Sequence, residues 1–218
     1  MYLIIKRFFD FVLSLIALII LLPFLLPIII LLKLTGEHEV FYFQKRIGYK
    51  NREFNIWKFA TMLKNSLNMG TGEITLRNDP RVTKVGKFLR STKINELPQI
   101  INVLKGDMSI VGARPQIKKA FDMFNNDVKK VIYNTRPGIT GIGSVIFRDE
   151  EKIISESKDI QKTYQKISEY KGELEKWYQQ HISFYTDFMI IFLTAWYILF
   201  SNSQLIYKVF PSLPQRQF

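Results

Sequence analysis

The chain opens with an unbroken apolar stretch. No charged residue occurs from Phe11 to Leu32, whereas Lys6 and Arg7 precede this run and Lys33 follows it. A straight helix needs roughly 20 apolar residues to cross a bilayer, so the run is just long enough. It is too long for the apolar part of a signal peptide, and no small-residue cleavage site follows it. The pattern predicts a membrane segment within residues 1–35.

Two prolines, Pro23 and Pro27, lie in the middle of this segment. Each proline removes an amide donor and clashes with the preceding helical turn, so we expect a bend there. If the chain turns back at the bend, both basic ends face the same anionic lipid surface. The prolines therefore predict a re-entrant membrane segment made of helix, break and helix. A kinked helix that spans the bilayer is the alternative.

The composition changes to that of a globular domain after Lys33. Apolar and polar residues alternate from Val40 to Gln44 and from Phe54 to Phe59, with a turn-like GYKNRE segment between them. This pattern predicts a hairpin or two short strands. We expect little strand elsewhere, so the predicted fold class is α+β and mostly helical. A globular domain is expected over residues 36–200 and a C-terminal tail over residues 201–218.

Apolar residues recur at helical spacing in two further segments. The first predicts a helix from about Asn95 to Lys105, with Asn95 as its N-cap and Gly106 as its C-cap. The second stripe runs from Ile153 to Tyr178 and predicts another helix. The aromatic-rich segment that follows, residues 182–200, predicts a helix lying on the membrane surface, and a second span is the alternative.

Composition and charge restrict the classes of function. With 218 residues, 47% of them hydrophobic and 23% charged, the chain is long and apolar enough for a sizeable core. The absence of cysteine excludes disulfides and thiolate metal sites, and 2 histidines are too few for a histidine-rich metal site. A net charge of +12 suits nucleic acid, an anionic membrane surface or a phosphorylated substrate. Because no nucleic-acid motif occurs, we expect anionic lipid and phosphate partners, and no nucleic acid.

The predicted helix start at Asn95 and Glu96 is the place where chemistry is expected. Helix N-termini offer unpaired amide donors and a partial positive charge, which suit phosphate, and Glu96 could hold a divalent cation there. Arginine and lysine side chains could neutralise phosphate oxygens. The candidate phosphate-binding residues are Lys58, Arg81, Arg90, Arg114 and Arg136. For an arginine before proline in a loop, such as Arg114 or Arg136, a purely structural role is the alternative.

These residues lie in segments that carry a family resemblance. The chain resembles the bacterial sugar transferases, and more closely the small monotopic polyprenol-phosphate phosphoglycosyl transferases, over about residues 4–200. The matching segments are the proline-broken apolar run, FQKRIG (43–48), KFATM (58–62), NDPRVTKVGKFLRSTKINELPQIINVLKGDMSIVGARP (78–115) and RPGITG (136–141). The long central segment is specific, whereas RPG or GDMS alone would mean little.

The resemblance implies transfer of a phosphosugar from a UDP-sugar to undecaprenyl phosphate, with release of UMP. This would be the first membrane step of surface glycan assembly, at the cytoplasmic face of the bacterial inner membrane. It also implies a re-entrant membrane helix, interfacial amphipathic helices within a cytoplasmic transferase domain, and Mg²⁺ as cofactor. A homodimer is compatible with the sequence. In this family, the nucleophile is the Asp of an Asp-Glu pair, which forms a phosphosugar intermediate on the enzyme.

The sequence departs from the family pattern at that Asp, because position 95 is asparagine. An amide has no anionic oxygen and is a poor nucleophile. Three interpretations follow from this difference. Glu96 has taken over the covalent role, or Asn95 is an inactivating Asp-to-Asn substitution, or the chain is a non-catalytic relative that acts as a membrane-bound binding or scaffold protein.

Overall fold

A computed structural model describes residues 1–69, 79–200 and 203–216 of the chain. Helices predominate in these residues and two small sheets accompany them, which confirms the predicted fold class. The elements in chain order are α1 (Tyr2–Leu34), β1 (Phe41–Ile47), β2 (Glu53–Phe59), α2 (Lys84–Ser91), α3 (Gln99–Lys105), β3 (Ser109–Val111), α4 (Lys118–Asp122), α5 (Asn126–Val131), β4 (Gly138–Thr140), α6 (Ile142–Ile146), α7 (Glu150–Ser155), α8 (Ile160–Gln180), α9 (Phe184–Leu199) and α10 (Leu205–Val209).

The apolar N-terminal segment forms one helix, α1, which contains both prolines. We expected two helices with a break, and the structure differs in this respect. A proline has a helical φ, so the helix can continue through each proline at the expense of one hydrogen bond. Among the described residues, α1 is the one helix long and apolar enough to cross a membrane. Whether its two ends share one membrane face stays a prediction.

One face of α1 packs against the rest of the protein along the length of the helix. The buried positions are separated by multiples of a helical turn, and they are Lys6, Asp10, Ser14, Leu25 and Leu32. Near one end Lys6 contacts Asp187 of α9, and near the other end Leu32 packs with Phe59 and Leu89. The opposite face is apolar and exposed. Both ends of α1 therefore contact the same globular domain.

The two sheets position the loops around the candidate site. Strands β1 and β2 form the predicted antiparallel hairpin, with Phe41 opposite Phe59 and Ile47 opposite Glu53. Strand β4, within the RPGITG segment, pairs in parallel with β3. A Cβ atom at Gly138 would lie 2.1 Å from the backbone nitrogen of Gly112, so this close approach of two backbones requires glycine.

The largest hydrophobic cluster lies among α6 to α10. The stripe from Ile153 to Tyr178, predicted as one helix, forms two helices, because Asp159 caps the start of α8 by accepting from the Lys162 amide. Helix α9 confirms the predicted helix over residues 182–200, while its position at a membrane stays a prediction. The segment predicted as a tail contributes Ile206, Phe210 and Leu213 to the cluster.

Candidate functional site

The site is centred on a short 3-10 turn, Ile94–Glu96, rather than on the start of an α-helix. The prediction of an α-helix from Asn95 is wrong, because α3 begins at Gln99. The Glu96 amide donates to the Lys93 carbonyl and the Leu97 amide donates to the Ile94 carbonyl. These hydrogen bonds join residues three apart, as in a 3-10 helix, and not four apart, as in an α-helix. The other end of the helix is as predicted. Gly106 caps α3 in the left-handed region, with φ 90°.

Two cations hold the Glu96 carboxylate. Its Oε1 accepts from Lys58 Nζ at 3.1 Å and from Arg114 Nη2 at 2.8 Å, and its Oε2 lies 3.4 Å from Arg114 Nη1. Burial alone would raise the pKa of Glu96, but Arg114 and Lys58 outweigh burial and hold it well below its usual range. Glu96 is therefore a carboxylate at neutral pH.

The hairpin supplies the basic wall beside Glu96. Lys58 lies on β2, and burial lowers its pKa to about 8 although Glu96 opposes this shift. Arg46 lies on β1 and donates to Gln44 and to the carbonyl of Pro115. Burial, and next the charge of Arg114, lower the pKa of Arg46 to about 10. The three cations are thus crowded together around one carboxylate.

The loop after β3 is anchored on both sides of Arg114. The Tyr133 hydroxyl donates to the Arg114 carbonyl at 2.9 Å and accepts from the Gln116 amide at 2.9 Å. The buried Glu175 carboxylate of α8 lies beside the backbone N–H groups of Arg114 and Gly143, which favour its charged form. Burial is the larger influence and raises the pKa of Glu175 to about 7.

Asn95 is buried beside Glu96, with 6% of its surface exposed. Its Oδ1 atom has no hydrogen-bond partner among the described residues. Buried polar atoms are normally paired, so an unpaired amide oxygen on the wall of a cleft indicates a place for a hydrogen-bond donor.

These residues line a cleft of about 1720 Å³, which is large enough for a nucleotide together with a second substrate. Basic side chains outnumber acidic ones along its described walls. The basic residues there are Arg46, Lys58, Lys64, Lys87, Arg90, Lys93, Arg114, Lys119, Arg148, Lys152, Lys162 and Lys171. The cleft is therefore suited to an anionic ligand.

Five of the predicted site residues line the cleft, namely Asn95 and four others, whereas two do not. The four others are Lys58, Arg90, Glu96 and Arg114. Arg81 is buried and forms an ion pair with Asp79 at 2.6 Å. Arg136 donates to the Gly106 carbonyl at 2.7 Å and lies over the Tyr49 ring. Neither of these two arginines is among the described residues that line the cleft.

Sequence reasoning missed two residues of this region, Arg148 and Glu175. A third residue, Arg46, belongs to the FQKRIG segment, where the sequence predicts Lys45 and Arg46 as contacts for lipid phosphate or head groups, with a solvated strand end as the alternative. Arg148 lines the cleft and has a buried Nη1 atom without a partner in the described part of the chain, but it stands in no motif. Glu175 occupies one position of an amphipathic helix, where a carboxylate normally faces solvent. No local pattern distinguishes the last two from surface charges.

The donor set does not fit a divalent cation held by protein side chains alone. Over residues 1–69, 79–200 and 203–216, no three acidic or histidine side chains come close enough together to bind a metal ion. Glu96 is the carboxylate at the centre of the site, and Lys58 and Arg114 engage it. A cation placed beside Glu96 would be repelled by Lys58 and Arg114, which pair with the same carboxylate.

Comparison with known proteins shows the family of this chain. The family model described as bacterial sugar transferase matches residues 1–201. The chain is 36% identical over 200 residues to the UDP-N-acetylgalactosamine-undecaprenyl-phosphate N-acetylgalactosaminephosphotransferase of Aeromonas hydrophila. This alignment covers 91% of this chain and 44% of that protein. It is 31% identical over 204 residues to the exopolysaccharide production protein ExoY of Rhizobium meliloti (strain 1021), covering 87% of this chain and 83% of that protein.

A third relative is the undecaprenyl-phosphate galactose phosphotransferase of Salmonella typhimurium (strain LT2), which is 32% identical over 209 residues. The alignment covers 89% of this chain and 40% of that protein. The chain thus spans less than half the length of the Aeromonas and Salmonella relatives. Since the family model extends over nearly the whole chain, this protein belongs to the bacterial sugar transferase family.

Proposed function

We propose that this chain transfers a phosphosugar from a UDP-sugar to undecaprenyl phosphate and releases UMP, as the first membrane step of surface glycan assembly. The observation that carries the proposal is the charged Glu96 carboxylate, held among Arg46, Lys58 and Arg114 on the wall of a basic cleft. The names of relatives support the substrate classes, because they include undecaprenyl-phosphate sugar phosphotransferases.

The cationic side chains provide the binding part of the reaction. The Arg114 side chain is 37% exposed, so its guanidinium can contact a ligand while it still holds Glu96. Phosphate oxygens prefer such planar, charged donors, and the cleft excludes part of the competing water. Arg90 lines the same cleft and extends the basic wall.

Glu96 provides the covalent part. One of its oxygens attacks the β-phosphorus of the UDP-sugar, the bond from that phosphorus to the bridging oxygen breaks, and UMP leaves. The phosphosugar is then joined to Glu96 as a mixed anhydride. An oxygen of undecaprenyl phosphate attacks the same phosphorus, releases the Glu96 carboxylate and gives the diphosphate-linked sugar. The low pKa of Glu96 supports this role because the residue is already deprotonated.

A second function is favoured by the state of the two central side chains. Asn95 has no anionic oxygen, and Lys58 and Arg114 reduce the nucleophilicity of Glu96 by pairing with it. A membrane-bound binding or scaffold protein that holds the substrates without turnover would have these properties. The Mg²⁺ that the family resemblance implies stays a prediction, with Glu96 as the expected ligand. No step above depends on Mg²⁺.

We infer that α1 is re-entrant and that the domain lies at the cytoplasmic face of the inner membrane. The packing of both ends of α1 on one domain supports this arrangement, because a spanning helix would place its two ends on opposite sides of the membrane. Single cysteines introduced at residues 3 and 37 should react with an impermeant reagent from the same side. Labelling from opposite sides would contradict the re-entrant arrangement.

The transfer reaction is tested by UMP release from a panel of UDP-sugars, with the full chain in nanodiscs that contain undecaprenyl phosphate. The unchanged chain should release UMP, and Glu96→Gln should abolish release. Glu53→Gln is the matched control, since Glu53 lies on β2 with a half-exposed side chain. Mass spectrometry after an acid quench should find the phosphosugar on the peptide that contains Glu96.

Three other results have distinct meanings. Release of UMP by Asn95→Asp alone would favour the second, non-catalytic function of the unchanged chain. Turnover without an adduct at residue 95 or 96 would mean direct attack by the lipid phosphate, and the covalent step would be wrong. Full activity of Glu96→Gln would contradict the role of this residue.

A further inference from the structure

We propose that, in this chain, the site around Asn95 binds a phosphate monoester dianion directly through Arg46, Lys58 and Arg114, without a divalent cation. The inference rests on the proposed function for the location of the ligand. It adds the ionic state of the ligand and the way in which its charge is neutralised. Asparagine at position 95 is the residue on which this property depends.

The site carries an excess of positive charge, which favours the binding of an anion. Three cations, Arg46, Lys58 and Arg114, act on one another around Glu96. With Asn95 neutral, positive charges exceed negative ones by two within this group. A dianion restores neutrality, whereas a divalent cation would double the excess.

The pKa directions show that the cations repel each other. The pKa of Arg46 is lowered by burial first and by Arg114 next. The pKa of Lys58 is lowered by burial first, with further lowering from Arg114 and Arg46. A bound anion would relieve this repulsion.

Two unpaired buried atoms indicate where a ligand would contact the protein. Arg46 Nε is a donor without an acceptor, and Asn95 Oδ1 is an acceptor without a donor, in the part of the chain that the structure describes. Both residues line the cleft. A phosphate oxygen would satisfy the first atom, and a hydroxyl group of the ligand would satisfy the second.

An aspartate at position 95 would change this arrangement in a predictable way. It would lower the local excess of positive charge to one and add a carboxylate beside Glu96, which is a better environment for a divalent cation. We therefore expect Asn95→Asp to bind phosphate weakly without metal and to recover binding when Mg²⁺ is added. The residue at position 95 thus selects between two ways of neutralising the same ligand.

The test is titration calorimetry on the full chain in nanodiscs, first in EDTA and then in excess Mg²⁺. UMP and inorganic phosphate probe the nucleotide source of the phosphate group, and a polyprenyl phosphate in the disc, competing with UMP, probes the lipid source. The unchanged chain should bind UMP in EDTA, with an affinity that Mg²⁺ alters by less than about threefold. Asn95→Asp should bind about tenfold or more weakly in EDTA and recover in Mg²⁺.

Two further variants keep the test decisive. Asn126→Asp makes the same change of charge at an exposed position on α5, away from the described walls of the cleft, and should bind like the unchanged chain. Arg114→Gln should lose binding in EDTA even if Asn95→Asp fails to fold. Competition by the polyprenyl phosphate would assign the site to the lipid, and a lack of competition would assign it to the nucleotide. Either result agrees with a dianion site.

Binding of UMP and polyprenyl phosphate by the unchanged chain only in the presence of Mg²⁺, or in neither condition, would overturn the inference. The outcome is separate from that of the transfer reaction. Binding in EDTA without UMP release from any donor would keep the inference and refute the transferase. Turnover combined with strictly Mg²⁺-dependent binding would refute the inference and keep the transferase.

Discussion

Two shielded carboxylates, Asp187 and Glu96, are stabilised in different ways. Asp187 joins α9 to α1 and α8, since it forms an ion pair with Lys6 and accepts from the hydroxyl groups of Tyr2 and Tyr178 at 2.6 and 2.7 Å. Lys6 and Asp187 have side chains that are 8% and 10% exposed. One negative charge meets one positive charge there.

Around Glu96, in contrast, positive charges outnumber negative ones. Arg46 adds a third cation to the pairs that Lys58 and Arg114 make with Glu96, and the neighbouring Asn95 has an unpaired oxygen. A buried group whose hydrogen bonds and charges are complete contributes to the fold, whereas excess charge and an unpaired atom on a cleft wall indicate a ligand site. The two carboxylates should therefore respond differently to substitution.

The largest effect on stability is expected from Asp187→Asn. This change keeps the shape of the side chain but leaves Lys6 buried without its counter-ion, which costs about 3–5 kcal/mol. Thermal unfolding in nanodiscs should show a large loss. Asp127→Asn, at a well-exposed carboxylate, is the control and should show no measurable change. A loss of thermal stability no larger than that of the control would show that the ion pair and hydrogen bonds of Asp187 do not stabilise the fold.

Gly143→Ala should have the next largest effect. A Cβ atom at this position would lie 2.7 Å from Glu175 Oε1, so the carboxylate that faces the Arg114 loop would be displaced, at a cost of about 1–3 kcal/mol. Denaturant unfolding measures the loss. Adding Glu175→Ala should make the two effects less than additive, because the colliding group is gone. Strict additivity would contradict the proposed contact.

The pH dependence of stability should identify Glu175. Burial raises its pKa to about 7 from the ordinary 4.5, so between these values the unfolded chain has lost the proton that the folded chain still holds. The free energy of unfolding therefore falls as pH rises through this interval. Lys171 and the backbone N–H groups of Arg114 and Gly143 are the groups that oppose the shift.

Glu175→Gln removes this titration. The difference in unfolding free energy between the unchanged chain and Glu175→Gln should therefore move in favour of the variant from about pH 4.5 to pH 7. Unfolding curves at several pH values give this difference. A difference that does not change with pH would show that Glu175 titrates normally.

The smallest effect on stability is expected at Asn95 itself. Asn95→Ala removes an oxygen that has no partner in the described structure, so the change should stay within about 1 kcal/mol. Asn102→Ala is the matched comparison. Asn102 is fully buried, accepts from the Trp57 amide at 2.9 Å and donates to the Asn55 carbonyl at 2.8 Å, and its loss should cost about 1–3 kcal/mol. Equal losses would mean that Asn95 is a structural residue.

The sequence by itself determined the elements that depend on local patterns. Alternation predicted the β1–β2 hairpin, and Gly106 predicted the end of α3, because strand faces and left-handed caps are properties of neighbouring residues. The motif resemblance also predicted the family. It also predicted Asn95 and Glu96 as the centre of the candidate site, since these positions lie inside one long motif.

Only the tertiary structure decided which charges surround that centre. Arg46, Lys58 and Arg114 come from a hairpin and a distant loop, and nothing local distinguishes them from Arg81 or Arg136, which the fold engages elsewhere. A sequence records that a charge is present, but its pKa, its partners and its access to a ligand depend on packing between elements far apart in the chain. The same holds for Glu175, whose raised pKa arises from burial between α8 and the loop that carries Arg114.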